Sequence, residues 1–421
     1  MKILAKTLAL IGCTLATGLG NLTADEFAGV KPEEVAKMMT KMSGTIPGQW
    51  RVIWTGDTST EATISWTTID AGKTHRVHLG TKAGGTDPSK YAKRVDCQVN
   101  GNYSIPSKEA DSLGSAHYHH CKLEGLQPDT TYYFLLQSDD EFSKPLHFRT
   151  APTSGDFKLI HGGDSRSGIS ARCEVNLMIK KMVAEIPTII GFVHGGDFVN
   201  NGRSWKEWRM WLSNHELTTG EDGKVLPIIP TRGNHDGGPL IFEIFNLPKD
   251  RSDLHYWHTT KVTKDVSIVT LDTNYSAKGK QEKWLEKELK ENRENSRWLL
   301  TNYHRPLFPA VKGTTSHAPV FVPIFEEHNV DLSLESDGHC IKRTVPIRDG
   351  KEDPSGVTYV GEGGLGVGQR SPHADRWYLK DGFTSKGHHV MVLEFTESTL
   401  NVKTVMLGGK IVDEVDLNAR K

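Results

Sequence analysis

The chain runs to 421 residues, with 51 lysines and arginines against 52 aspartates and glutamates, and its 41 glycines point to many tight turns and backbone-lined loops. That length exceeds what one hydrophobic core usually organises, so two domains are expected. The balanced charge excludes two classes: no basic stripe offers itself to nucleic acid, and no acidic block suggests a disordered tail.

In chain order, the first 24 residues, MKILAKTLALIGCTLATGLGNLTA, place two lysines before an apolar stretch and then small residues. This is the pattern of a secretory signal peptide cut after Ala24, and the stretch is too short and too rich in small residues to anchor in a bilayer. A second reading takes LIGC at 10–13 as a lipoprotein box ending at Cys13. No later stretch is long and apolar enough to span a membrane, so an exported chain is expected, periplasmic or extracellular. Residues 25–45 read as a helical linker. Within it KPEEVAKMMTKM at 31–42 has proline and acids at its start and Gly44 after its end.

From Trp50 to Thr150 the pattern changes to short alternating runs: RVIWTG, EATISWTT, HRVHLGT, AKRVDCQV, HYHHCKLEGL, TYYFLLQS and PLHFRT, separated by turn residues. Seven short strands in this span predict a β-sandwich over 46–150. The run LEGLQPDTTYYF resembles the segment of fibronectin type III domains that turns through proline into a tyrosine strand, which puts Tyr132 at a tyrosine corner. Cys97 and Cys121 lie on neighbouring strand-like segments, so they either form a bridge or sit separately in the core. The histidines of AHYHHC are expected at a surface or an interface.

After a linker at 151–155, strands and helices alternate. FKLIHGG, TIIGFVHGG, VLPIIPTRG, VSIVTLDT, RWLLTNYH, VDLSLES and VTYVGEGG read as strands, and 171–185, 204–217, 279–292 and 318–328 as helices. HHVMVLEF, TLNVKTVML and KIVDEVDL finish a sheet, giving an α/β domain over 156–416. One short echo stands out, HGGD at 161–164 and again at 194–197. Both copies close an apolar run, so Asp164 and Asp197 project from strand C-termini, the edge where ligands collect in α/β sheets. TRGNHD adds Asn234 and His235, TNYHRP adds His304, and ESDGHCIKR adds Asp337 and His339. Any one of these is an ordinary turn residue, but five strand ends delivering them together point to metal. Oxygen and imidazole donors without thiolates suit Mn, Fe, Zn or Mg. Two ions sharing a carboxylate, about 3.5–4 Å apart, make a clamp for in-line displacement at phosphorus.

This order of motifs resembles the calcineurin-like metallophosphoesterases, whose ligands come from GD, GD, GNH[DE], a later H and GHxH at successive strand ends. The fibronectin-like domain in front resembles the purple acid phosphatases. The resemblance implies a multi-domain fold: an N-terminal all-β fibronectin type III-like sandwich followed by an α/β metallophosphoesterase domain of two packed mixed sheets flanked by helices. It also implies a secreted, acid phosphatase-like enzyme with two metal ions, hydrolysing small-molecule phosphate monoesters through a metal-activated hydroxide. Carried over, Asp164 would bind the first metal, Asp197 would bridge both, and Asn234 and His304 would bind the second. His235 would face the phosphoryl group as acid or charge stabiliser. His317 is a second acid–base candidate, and Arg166, Arg305 and Asn200 are candidate substrate contacts.

Two positions depart from the pattern. Purple acid phosphatases carry a tyrosine three residues after the bridging aspartate, and its phenolate gives their colour; Asn200 stands there, implying a colourless protein. Aligning ESDGHCIKR on GHxHxYER sets Arg343 on the terminal arginine and His339 on the second histidine, leaving Asp337 as a ligand where the family has its first histidine. A phosphodiesterase on the same site, or a non-catalytic exported binding protein with a decayed metal site, are the alternative readings.

Overall fold

The computed structural model describes residues 32–247 and 256–420. The signal-peptide reading of 1–24 and the Cys13 alternative lie outside the described residues. The helix expected over 31–42 appears as Pro32–Met38, and Val35 packs on Cys173 and Leu217.

Four layers stack as helices, sheet, sheet, helices, because almost every central strand is apolar on both faces. In the Phe157–Gly162 strand, Leu159 joins the core between the sheets, while its neighbour Ile160 packs under the outer helices. Val193 and Phe192, and Ile229 and Ile228, divide the same way. Alternating side chains therefore feed two cores, and the sequence shows continuous apolar runs rather than alternation. Helices Ile169–Glu185 and Trp205–His215 cover the first sheet, and Lys280–Asn295 and Ala318–Glu327 the second. These match the four expected helices within a few residues. The wholly buried Leu240–Phe245 helix was not anticipated: LIFEIF has no polar face and is too short to show a helical period.

Among the described residues the first sheet has ten strands and the second seven. The first runs, in spatial order, through Ile411–Asn418, Thr399–Met406, His389–Phe395, Phe157–Gly162, Ile189–His194 and Ile228–Pro230. It then continues into Gly48–Ile53, Ala62–Thr68, His117–Leu123 and Val99–Asn102. Gly48–Ile53 lies parallel to Ile228–Pro230, with Ile53 opposite Ile228, and Trp54 N–H donates to the Ile228 carbonyl at 2.9 Å. The β-sandwich is thus joined to the α/β domain by a shared sheet, which covers the edge that Ile228–Pro230 would otherwise leave open.

The other face of the sandwich is a five-stranded sheet built around His75–Gly80 and Thr131–Ser138. Tyr132 closes its corner: the hydroxyl accepts the Gln127 N–H at 2.8 Å. Cys97 and Cys121 are free thiols in contact with each other. The AHYHHC histidines, expected at a surface or an interface, are buried between strands. His119 is 1% exposed, bonds Asn100 and Thr68, and stacks on His75 at 3.6 Å, while His120 bonds Ser65 at 2.7 Å. Both neighbouring strands supply polar partners, so imidazoles can be buried there at little cost.

Candidate metal centre

The C-terminal ends of five strands from both sheets meet at one place, and the glycines of the two HGGD copies let them meet. A Cβ on Gly163 would stand 2.3 Å from the Ser336 hydroxyl, and one on Gly195 would stand 2.0 Å from it. Only glycine lets the 335–339 turn settle against both strand ends. A Cβ on Gly233 would likewise stand 2.2 Å from Asp197 Oδ1. Asp164, Asp197, Asp337 and His339 all adopt left-handed φ values, of 58°, 56°, 68° and 62°. Non-glycine residues pay for that conformation, and such residues gather where side chains must be aimed.

Asp164, Asp197 and His304 place one ligand atom each within 4.8 Å of one another, all fully buried. Asp197 stands in the middle. Its Oδ1 lies 3.3 Å from His304 Nε2 and accepts the His235 N–H at 2.9 Å, while its Oδ2 accepts Arg166 Nε at 3.1 Å. On one side, His339 Nε2 lies 3.2 Å from Asp164 Oδ1. On the other, His304 Nε2 lies 3.5 Å from Asp337 Oδ1. His304 Nδ1 donates to the Gly195 carbonyl at 2.8 Å, which leaves Nε2 to face the carboxylates. Asp337 is tied to the same cluster through its N–H, which donates to Asp164 Oδ2 at 2.8 Å.

Charge is strongly perturbed here. Burial alone would lower the His304 pKa, but Asp197, Asp337 and Asp164 outweigh it and hold the imidazole well above its ordinary value. Burial pushes Asp197 up, yet His304 and the His235 N–H bring it down to about 2. Asp337 falls below the usual carboxylate range despite burial, through His304 and Lys312. A proton on His304 thus supplies positive charge that a cation would otherwise bring.

Asp164 Oδ1, Asn234 Oδ1 and His304 Nε2 are buried without a hydrogen-bond partner. Buried polar atoms are nearly always partnered; two of these lie in the carboxylate cluster and the third is on the residue before His235, whose N–H bonds Asp197, which is what a cation's ligands look like without the cation. The oxygen and imidazole set fits divalent ions.

Beside the cluster, His235 Nδ1 donates to the Asn200 carbonyl at 2.7 Å, which leaves Nε2 to carry or release a proton. Arg166 Nη1 donates to Asn200 Oδ1 at 2.9 Å, and Nη2 lies 3.5 Å from His339 Nε2, so Arg166 and Asn200 form one wall. The remaining candidates have other partners. His317 has both ring nitrogens engaged, one with the Thr315 hydroxyl of its own loop at 2.8 Å and the other with the Tyr275 carbonyl of a distant loop at 2.7 Å. Arg305 is exposed, with its N–H held by Thr273 Oγ1. Arg343 makes a two-pronged pair with Asp413, at 2.8 Å for each contact.

Two further residues serve the cluster. Asp236, the last letter of GNHD, is buried and accepts the N–H groups of Asp197, Phe198, Val199 and Gly233, at 2.8, 2.9, 3.4 and 2.8 Å. It shapes the turn that presents Asp197, and its place in the motif was the available signal. Lys312, on the loop before the Ala318–Glu327 helix, reaches Asp337, and nothing in the sequence marks it.

Two domain families match the chain: the purple acid phosphatase N-terminal domain over residues 47–150 and the calcineurin-like phosphoesterase over residues 172–340. The architecture is calcineurin-like and purple acid phosphatase-like. A phosphoenolpyruvate phosphatase from Allium cepa is 24% identical over 426 residues, 90% of this chain and 83% of that protein. Purple acid phosphatase 15 from Arabidopsis thaliana is 23% identical over 302 residues, 61% of this chain and 55% of that protein. The solved purple acid phosphatase from yellow lupin (Lupinus luteus) seeds shares the fold, with a TM-score of 0.72 at 18% identity over 88% of this chain and 74% of that one. Together these matches mark a metal-dependent hydrolase of phosphoric esters. The matched span of the phosphoesterase domain contains Asp197, Asn234, His235, His304, Asp337 and His339, and begins after Asp164.

Proposed function

We propose that the chain is an exported phosphomonoesterase with a two-ion centre. Asp164 and His339 would hold the first ion, Asn234, His304 and Asp337 the second, and Asp197 would serve both. The observation that supports this reading is the position of Asp197, fully buried with a carboxylate oxygen within 4.8 Å of ligand atoms of both Asp164 and His304, which belong to different ligand groups. Divalent ions in that cradle supply charge for the phosphate oxygens and make water acidic enough to attack phosphorus near neutral pH.

The chain's own groups do the rest. Arg166 presents guanidinium N–H groups beside Asp197, suited to a phosphate oxygen, and Asn200 holds that guanidinium in place. The Asn200 carbonyl fixes the His235 tautomer with the proton on Nδ1. Only protonated His235 then offers an Nε2–H, and it gives that proton to the departing alkoxide oxygen as the P–O bond breaks. Asp236 keeps the Asp197 backbone in its left-handed turn, so the carboxylate is aimed before any ion arrives.

The test is a rate comparison on matched nitrophenyl mono- and diesters with metal-loaded protein. The monoester is expected to turn over faster. Faster diester hydrolysis would make the enzyme a phosphodiesterase, and hydrolysis of neither ester would favour a binding protein.

A further inference from the structure

The Asp337 carboxylate already has a cationic partner supplied by the chain. Lys312 Nζ lies 2.5 Å from Asp337 Oδ1, the same oxygen that lies 3.5 Å from His304 Nε2. The Lys312 side chain is 40% exposed and that of Asp337 only 6% exposed, so the ammonium enters from solvent and caps a buried group. An ammonium and a divalent ion at contact distance from the same oxygen repel each other, so each weakens the other's hold on it. Lysine carries its charge on a flexible four-carbon stem and can withdraw to water, whereas the buried carboxylate cannot follow it.

We propose that Lys312 competes with the second metal ion for Asp337, so that this position loads only when the ammonium is displaced. The inference rests on the two-ion reading above. It gives the aspartate a consequence beyond ligand identity. A carboxylate here attracts cations more strongly than an imidazole would, and Lys312 offsets that attraction, holding the second ion more loosely than the first. Once displaced, the ammonium stays at the mouth of the site and balances the added negative charge that an approaching phosphate meets.

Calorimetric titration of metal-stripped full-length protein with Mn²⁺ tests this in the parent, Lys312→Met, Asp337→Asn and the double variant. Lys312→Met is expected to tighten the weaker equivalent about tenfold, as removing a like charge a few ångströms away at a partly screened site should. The stronger equivalent should change little. Asp337→Asn should weaken the second equivalent, and adding Lys312→Met to it should give no further tightening. Lys312 is at the surface, so its single variant decides the matter even if Asp337→Asn folds poorly. Unchanged or weaker binding in Lys312→Met overturns the inference, as does equal tightening in the Asp337→Asn background, which would make the lysine only a source of field. If parent and Lys312→Met both bind no Mn²⁺, the two-ion reading fails and this inference with it; two equivalents bound with no effect of Lys312→Met sinks the inference alone.

Discussion

Asp197→Ala is expected to bind neither metal ion and to hydrolyse no phosphate ester above background. The carboxylate is fully buried; a carboxylate oxygen lies within 4.8 Å of ligand atoms of Asp164 and His304, and its Oδ2 accepts from Arg166, whose guanidinium also reaches His339. Losing it leaves two cations sharing a cradle with no anion between them, a repulsion that the remaining ligands cannot offset. The change also releases Arg166 Nε and the His235 N–H, which both bond that carboxylate, so the phosphate-facing groups lose their alignment as well. Elemental analysis after dialysis against Mn²⁺, paired with a rate assay on a nitrophenyl phosphate, reads both effects. Near-parental hydrolysis by Asp197→Ala would remove the assignment.

The second large effect concerns pH. Burial lowers the pKa values of five histidines: His161, His215 and His389 to about 4, His258 to about 3 and His119 to about 2. In the unfolded chain each returns to about 6.5. Because the folded values lie below the unfolded one, the unfolded state takes up protons first as pH falls. Stability is therefore full above about pH 6.5 and is lost progressively toward pH 4, by up to about 1.4 kcal/mol per pH unit for each such histidine. Thermal or denaturant midpoints measured from pH 8 to pH 4 should show a plateau and then a steep fall beginning near pH 6.5. A midpoint unchanged down to pH 4.5 would contradict these protonation states.

Local signals in the sequence located most of the candidate site. HGGD, HGGD and GNHD each end an apolar run, and a strand end fixes where the next side chains point, so Asp164, Asp197, Asn234 and His235 could be placed without knowing the packing. His304 and His339 followed because their strands carry the same apolar signature. What escaped depends on contacts between distant parts of the chain. The pairing of Ile53 with Ile228 joins the sandwich to the catalytic sheet, and nothing in either strand's residues names its partner. Lys312 reaches Asp337 from a loop whose path is set by packing, not by a motif. The burial of the AHYHHC histidines was hidden for the same reason, since their asparagine, serine and threonine partners come from neighbouring strands. His317 looked attractive because of its sequence position after His304, yet its ring is spent on Thr315 and Tyr275.

The most direct test of the two-ion centre is an anomalous-difference map from crystals of the protein grown with Mn²⁺. Two peaks are expected about 3.5–4 Å apart, one against Asp164 and His339, the other against Asn234, His304 and Asp337, with Asp197 touching both. A single peak, or none within reach of Asp197, would contradict it.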